Sequence, residues 1–219
     1  MKRLAIIIPV KSPEDGKSRL AGELSARDRY ALNQLLLNHT LDQVAELTDV
    51  ADVHVVSKSS VVLANASQRG FASHLEPSLC DLNGAVALGA ARAQAAGATD
   101  VMVVPIDLPW LSSDRLLSVV AEVQENCDVI IITDRAGEGT NLLLWRPIEI
   151  ARFHFGAGSA TRHAEVAGAL GLRVVTRRDY HLSFDLDTRH DLEMMLRNDA
   201  IAASFGSISP VPVWKNTRV

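Results

Sequence analysis

The sequence predicts an α/β fold built on a mainly parallel sheet. Short, near-continuous apolar runs such as VMVV at residues 101–104 read as strands buried on both faces. Helical stretches alternate with those strands, which implies crossover connections. Loops carrying Lys, Asp and Gly follow the strands, at the edge where open α/β sheets bind ligands. A length of 219 residues suits one such domain with a substantial core.

Composition narrows the function. Hydrophobic residues at 47% and charged residues at 22% exclude wholesale disorder. A formal net charge of −4 offers no basic surface to nucleic acid. Cys80 and Cys127 are the only cysteines and form no CxxC motif, which suits a reducing cytoplasm. The apolar part of MKRLAIIIPVK is broken by Pro9 and closed by Lys11, so it reads as a first strand rather than a signal peptide. No run approaches the ~18 apolar residues of a membrane span. The expectation is a cytoplasmic protein with no nucleic-acid or membrane partner; a homodimer is compatible with the sequence.

Residues 3–10 are strand one. The loop behind it places Lys11, Lys17 and Arg19 beside Gly16, Ser12 and Ser18. Such a loop offers positive charge and backbone N–H groups to phosphates. It is no Walker loop, since only Gly16-Lys17-Ser18 matches that motif's end, and an ordinary solvated loop has the same composition. Ser25 opens a helix to about Leu47, with Ser25 and Asp28 approximating a capping box. Tyr30, Leu32, Leu35, Leu36, Leu41, Val44 and Leu47 fall near helical spacing. Residues 52–57 are strand two, 61–70 a helix and 71–75 a short third strand. An Ala-rich helix follows to Gly97; Asn83 near its start is either a cap or a ligand.

Strand 101–104 must end at Pro105, because Pro105 and Pro109 cannot continue a central ladder. That leaves Asp107 just past a carboxyl end. A carboxylate between Ile106 and Leu108 is costly unless it meets a donor or a metal. It is either a turn cap or a Mg²⁺ ligand. Residues 113–125 are a helix and 128–133 a buried strand. The turn DRAGEGTN at 134–141 either allows close backbone approach to a ligand or is a plain β-turn; residues 142–145 behind it are strand-like. Gly156, Gly158 and Ser159 precede a helix at 160–170, an arrangement that attracts anions. Residues 173–176 are a late strand. In FDLDTRHDL, Asp185 and Asp187 flank Leu186, so on extended backbone both carboxylates face one side. They read either as a strand end and a helix cap or, with Asp107, as the hard oxygen ligands Mg²⁺ takes. Thr188 and Asp191 start a terminal helix to about Asn198. One domain is expected over residues 1–203, and a loosely ordered tail over 204–219.

Lys11-Ser12 with Lys17-Ser18-Arg19-Leu20, then Leu82-Asn83, PIDLPWL, GEGTN, FGAGS with His163, and FDLDTRHDL stand in the order seen in the phospholactate guanylyltransferase family. The chain resembles that family from about residue 3 to residue 196. These enzymes act in biosynthesis of the deazaflavin coenzyme F-420 and are similar to molybdenum-cofactor guanylyltransferases. The resemblance implies a single Rossmann-like three-layer α/β/α domain with a mixed, mainly parallel sheet, as in nucleotide-diphospho-sugar transferases. It implies transfer of GMP from GTP to the phosphate of a small phosphorylated carboxylic acid (2-phospholactate, phosphoenolpyruvate or 3-phosphoglycerate), with release of pyrophosphate. Asp107, Asp185 and Asp187 would hold Mg²⁺. Lys11, Lys17, Asn83 and Asp107 would hold the nucleotide, and Lys17, Arg19 and Asp107 would carry catalysis. Thr140, Asn141, Gly156 and Ser159 would grip the acceptor.

Ile106, Trp110 and Ala160 depart from the family's usual pattern. Trp110 and Ala160, with His163, are the positions expected to choose the acid. Two other classes share parts of the pattern. A nucleotide-sugar-dependent glycosyltransferase would use Asp185-Leu186-Asp187 as its metal motif. A non-catalytic nucleotide-binding regulator would keep the glycine loops but tolerate loss of the aspartates, and all three are present.

Overall fold

The computed structural model describes residues 3–14, 16–125 and 127–197. The expected tail at 204–219 and the helix end at Asn198 lie outside the described residues. Among the described residues, seven strands form one sheet: β1 (Leu4–Val10), β2 (Ala51–Ser57), β3 (Ala72–Leu75), β4 (Asp100–Val103), β5 (Val129–Thr133), β6 (Thr140–Trp145) and β7 (Val174–Arg177). Their spatial order is β3-β2-β1-β4-β6-β5-β7. All neighbours are parallel except β6, which runs antiparallel to both β4 and β5. The sheet is therefore mixed and mainly parallel.

The reversal at β6 has a simple cause. Only residues 134–139 separate β5 from β6, too few for a crossover, so the two strands form a hairpin. Its consequence is functional: β6 starts at the edge where the parallel strands end.

The described residues form six α-helices, α1 (Ala26–Ala45), α2 (Ser60–Gln68), α3 (Leu82–Ala95), α4 (Ser113–Glu125), α5 (Ser159–Ala169) and α6 (Arg189–Arg197), of which α1 to α5 pack on the sheet. Side chains alternate across a strand, and β1 shows the result. Leu4, Ile6, Ile8 and Val10 pack with α1, α2 and α4 on one face. Ala5 and Ile7 pack with α3 and α5 on the other. Burying each such Ile or Val contributes about 1.5–3 kcal/mol, which is why these runs carry almost no polar residue. Helix α6 joins a third cluster, where Leu192 and Met195 meet Leu20, Leu36 and Leu186.

Helix α1 starts as its sequence suggests, with one change. Ser25 Oγ accepts from the Asp28 N–H at 3.1 Å and donates to Asp28 Oδ2 at 2.6 Å. The acid thus serves the serine hydroxyl. Other element ends shift by one or two residues from expectation, the usual scatter of fraying termini. Among the described residues no helix is long and apolar enough to cross a membrane.

Candidate active site

From β1 the chain winds outward to β2 and β3, then returns to place β4 on the other side of β1. The β1/β4 boundary is a topological switch point, where an open sheet leaves a crevice past its strand ends. A cleft of about 410 Å³ lies there, lined among others by Lys11, Lys17, Arg19, Asp107 and Asp187.

The loop after β1 is shaped around Asn33 of α1. This amide is buried and its Nδ2 donates to the Pro13 carbonyl at 2.7 Å. Gly16 crosses it so closely that a Cβ there would lie 2.5 Å from Asn33 Nδ2. Lys17 then takes a left-handed backbone, φ 56° and ψ 37°, which costs a non-glycine residue about 1–2 kcal/mol. Strain of this kind persists only where its surroundings enforce it. Here the Lys17 side chain is held inside the cleft, 6% exposed, with Nζ 3.4 Å from Asp107 Oδ2 and 3.3 Å from Asp187 Oδ1. Arg19 stays largely in solvent and reaches Asp187 Oδ2 at 3.1 Å.

Residues distant in sequence supply the two carboxylates. The Leu186 N–H donates to the Asp107 carbonyl at 2.9 Å and stitches their loops together. Leu186 is fully buried, so Asp185 and Asp187 sit on the opposite side, as their alternation predicts. Burial pushes the Asp185 carboxyl above its usual range, and the charges of Asp107 and Asp187 add to that.

Asp187 is held by a residue that the sequence reading placed only at a helix start. Asp191 Oδ2 accepts from the Asp187 N–H at 3.0 Å, the Thr188 N–H at 2.7 Å and Thr188 Oγ1 at 2.8 Å. Its other oxygen pairs with Arg135, whose guanidinium lies 4.5 Å from the centre of the Phe184 ring. Burial alone would raise the Asp191 carboxyl; the bonds from Arg135 and Thr188 override it and hold it below the usual range.

Among the described residues no three acidic, His or Cys groups converge as a ready metal cluster. Asp107 and Asp187 do converge, on the Lys17 ammonium. Mg²⁺ keeps several waters and takes one or two carboxylates together with substrate phosphates. This pair of carboxylates, with Asp185 beside it, fits that demand.

Across the edge, the residues expected to grip the acceptor fall on the β6 start, on the strap before α5 and, for Ser159, on the first residue of α5. Asp134 organises the first: its carboxylate accepts from the N–H groups of Gly137, Glu138 and Gly139 at 2.7, 2.9 and 2.9 Å. A Cβ on Gly139 would stand 2.6 Å from Asp134 Oδ2, so this turn requires glycine there. Thr140 Oγ1 lies 3.0 Å from His163 Nδ1. Asn141 is buried and spends its Nδ2 on the Leu182 carbonyl at 3.1 Å. Ser159 is 1% exposed and its N–H donates to the Gly156 carbonyl at 3.1 Å. Asn83 neither caps α3 nor points free. Asp81 is the cap, accepting from the Gly84 N–H at 2.8 Å. Asn83 instead clamps the Phe155 backbone, accepting from its N–H at 2.7 Å and donating to its carbonyl at 3.1 Å.

The three positions expected to choose the acid do not line the open cleft. Trp110 is 7%, Ala160 2% and His163 0% exposed. Trp110 stacks on Phe184 with ring centres 4.0 Å apart, which makes it a wedge between loops. Any effect of these residues on the acceptor must pass through their neighbours. Asn33, Asp134, Arg135 and Asp191 are the supporting residues that sequence reading missed. Asp134 carried a signal, because Asp two or three residues ahead of Gly favours a turn bonded to its own backbone. Asp191 was placed at a helix start from its spacing to Thr188, but nothing in that spacing showed that it would hold the Asp187 N–H.

His163 gives a testable pH dependence. Burial first, then the nearby charges of His154 and Arg162, bring its pKa down from 6.5 to about 4. The unfolded chain therefore takes up this proton first. The contribution of His163 to stability is complete above pH 6.5 and is lost as pH falls toward 4. The shift corresponds to about 3 kcal/mol. Denaturant titrations at pH 7 and pH 4.5 are expected to show a larger loss for the native chain than for His163→Gln. Parallel losses would contradict the assignment.

Comparison with known proteins identifies the family. Residues 4–205 match the family described as guanylyl transferase CofC like. The chain is 35% identical over 198 residues to the phosphoenolpyruvate guanylyltransferase of Sphaerobacter thermophilus, covering 90% of this chain and 95% of that one. It is 27% identical over 190 residues to the 2-phospho-L-lactate guanylyltransferase of Methanocaldococcus jannaschii, covering 87% and 81%. Among solved structures, a putative nucleotide-diphospho-sugar transferase from Desulfovibrio desulfuricans matches with a TM-score of 0.74 at 18% identity, covering 94% and 93%. That last likeness concerns the fold alone. The family match over residues 4–205 and the similarity to guanylyltransferases lead to one conclusion: the chain belongs to the CofC-like guanylyl transferase family and is a nucleotidyltransferase.

Proposed function

We propose that this enzyme transfers GMP from GTP to the phosphate of a three-carbon phosphorylated acid, releases pyrophosphate, and serves biosynthesis of the deazaflavin coenzyme F-420 in the cytoplasm. The observation that carries the reading is the nearly buried Lys17 ammonium between Asp107 and Asp187 at the switch point of the sheet. Phosphoenolpyruvate is the first candidate acceptor. A relative named for it, in Sphaerobacter thermophilus, is 35% identical, against 27% for a relative named for 2-phospho-L-lactate.

The attacking group is a phosphate oxyanion, so no strong base is required. The barrier is the approach of two anions, and catalysis is positioning plus charge neutralisation. Lys17 and Arg19, with Lys11 at the cleft rim, neutralise the triphosphate and the departing pyrophosphate. Asp107 and Asp187, with Asp185 in support, would hold Mg²⁺, which when bound supplies further positive charge between donor and acceptor. Thr140 and the strap before α5 receive the acid. There the N–H groups of Ala157 and Gly158 make no hydrogen bond among the described residues, and they precede a helix N-terminus suited to an anion. Asn83, assigned to the nucleotide by the resemblance, fixes the start of α3 to that strap through the Phe155 backbone.

The test is steady-state kinetics with GTP and each of phosphoenolpyruvate, 2-phospholactate and 3-phosphoglycerate. Phosphoenolpyruvate is expected to give the highest kcat/KM. A tenfold or greater preference for another acid would move the acceptor assignment to it. Nucleotide-sugar hydrolysis without pyrophosphate formation would favour a glycosyltransferase.

A further inference from the structure

Building on the guanylyltransferase reading above, we propose that His163 is the positioning residue of the acceptor half-site, its Nδ1–H setting the Thr140 hydroxyl as a hydrogen-bond donor toward an anionic oxygen of the acid.

The hydrogen-bond directions follow from one fixed donor. The His154 backbone N–H can only donate, and it reaches His163 Nε2 at 2.8 Å. Nε2 is therefore an acceptor and carries no proton. The ring is fully buried, and burial keeps it neutral down to about pH 4. A neutral imidazole carries one proton, which must then sit on Nδ1. Nδ1 is 3.0 Å from Thr140 Oγ1 and donates to it.

A hydroxyl has one proton and two lone pairs. With Thr140 Oγ1 accepting from His163, its own proton is left to donate. Among the described residues that hydroxyl makes no other hydrogen bond. Thr140 starts β6, half-buried, at the functional edge of the sheet. The same histidine also anchors the strap before α5 through His154. Helix α5 is tied back to the Thr140 loop by the Ala160 N–H, which donates to the Glu138 carbonyl at 3.1 Å. The hydroxyl and the strap are thus set by one buried ring. A neutral, pre-aimed donor favours a phosphate or carboxylate oxygen, which can only accept.

The test is a set of variants, His163→Leu, His163→Gln, Thr140→Val and the double variant His163→Leu with Thr140→Val. KM for phosphoenolpyruvate, KM for GTP, kcat and melting temperature are measured for each. Loss of one neutral hydrogen bond is expected to raise the phosphoenolpyruvate KM by about 3–10-fold. That is the expected result for His163→Leu and Thr140→Val, with the GTP KM within twofold. The double variant should be no worse than either single one, because the ring acts through the hydroxyl. His163→Gln keeps one acceptor and one donor and should restore most acceptor affinity. Equal effects on both KM values, additive effects in the double variant, or a lowered melting temperature with the phosphoenolpyruvate KM unchanged would overturn the proposal. Should His163→Leu fail to fold, His163→Gln carries the test alone. It should stay within threefold of the native KM in the Thr140 background and have no effect in the Thr140→Val background; a larger effect in the latter overturns the proposal. A native chain active on GTP and the acid, with His163 variants that leave the acceptor KM unmoved, refutes only this inference. A native chain inactive with all three acids refutes the function and this inference with it.

Discussion

Asp107→Asn and Asp187→Asn should each lower turnover by about 100-fold or more, the range for removing one preorganised electrostatic group, while the chain stays folded. The structure separates the two effects. The contact that joins the loops is made by the Asp107 backbone carbonyl to the Leu186 N–H, and an asparagine keeps it. The Asp187 N–H stays bound to Asp191 in the same way. What is lost is a full negative charge facing Lys17 and, when it is bound, Mg²⁺. Both side chains are about a third exposed, 33% and 36%, so neutralising either one leaves no deeply buried partner stranded except the lysine. Melting temperature and circular dichroism should match the native chain, while kcat falls and the Mg²⁺ requirement rises. A variant with native turnover at limiting Mg²⁺ would remove that aspartate from the metal role.

Lys17→Ala should cost about 2–4 kcal/mol of transition-state stabilisation, which is roughly a 30- to 1000-fold loss in kcat/KM. A surface lysine would contribute almost nothing, since exposed ion pairs are worth about 0–1 kcal/mol. Lys17 differs because its side chain is 6% exposed and both partners are fixed from other elements. Lys17→Gly separates charge from backbone. Glycine is at ease at φ 56°, so that variant should keep or gain stability while losing as much activity as Lys17→Ala. A change below threefold in kcat/KM for both would make Lys17 a structural residue of the loop.

The sheet was legible because its strands are written as apolar runs that end in chemistry-bearing loops. Pro105 marked the end of β4 for a plain physical reason, the missing ladder donor, and so placed Asp107 correctly past the strand. Leu186 between two aspartates likewise announced one buried and two outward side chains. The reversal of β6 was harder to see. LLLW reads alike in a parallel or an antiparallel strand, and only the short 134–139 connection distinguishes them. The left-handed turn at Lys17 was invisible, since lysine carries no propensity for it; it goes with a side chain held by Asp107 and Asp187, residues far away in sequence. Nor could residue type alone show that the Asn141 and Asn83 amides bind backbone groups far away in sequence, at Leu182 and Phe155. A buried amide and a ligand-binding amide have the same formula, and only packing tells which partner is near.

The most direct measurement follows labelled phosphate. The protein is incubated with Mg²⁺, phosphoenolpyruvate and GTP labelled at either the α- or the γ-phosphate, and the products are separated. A single cleft that transfers GMP predicts α-label in a guanosine diphosphate-linked enolpyruvyl product and γ-label in pyrophosphate, in equal amounts. α-Label that never leaves GTP with any of the three acids, or γ-label appearing on the acid, would contradict it.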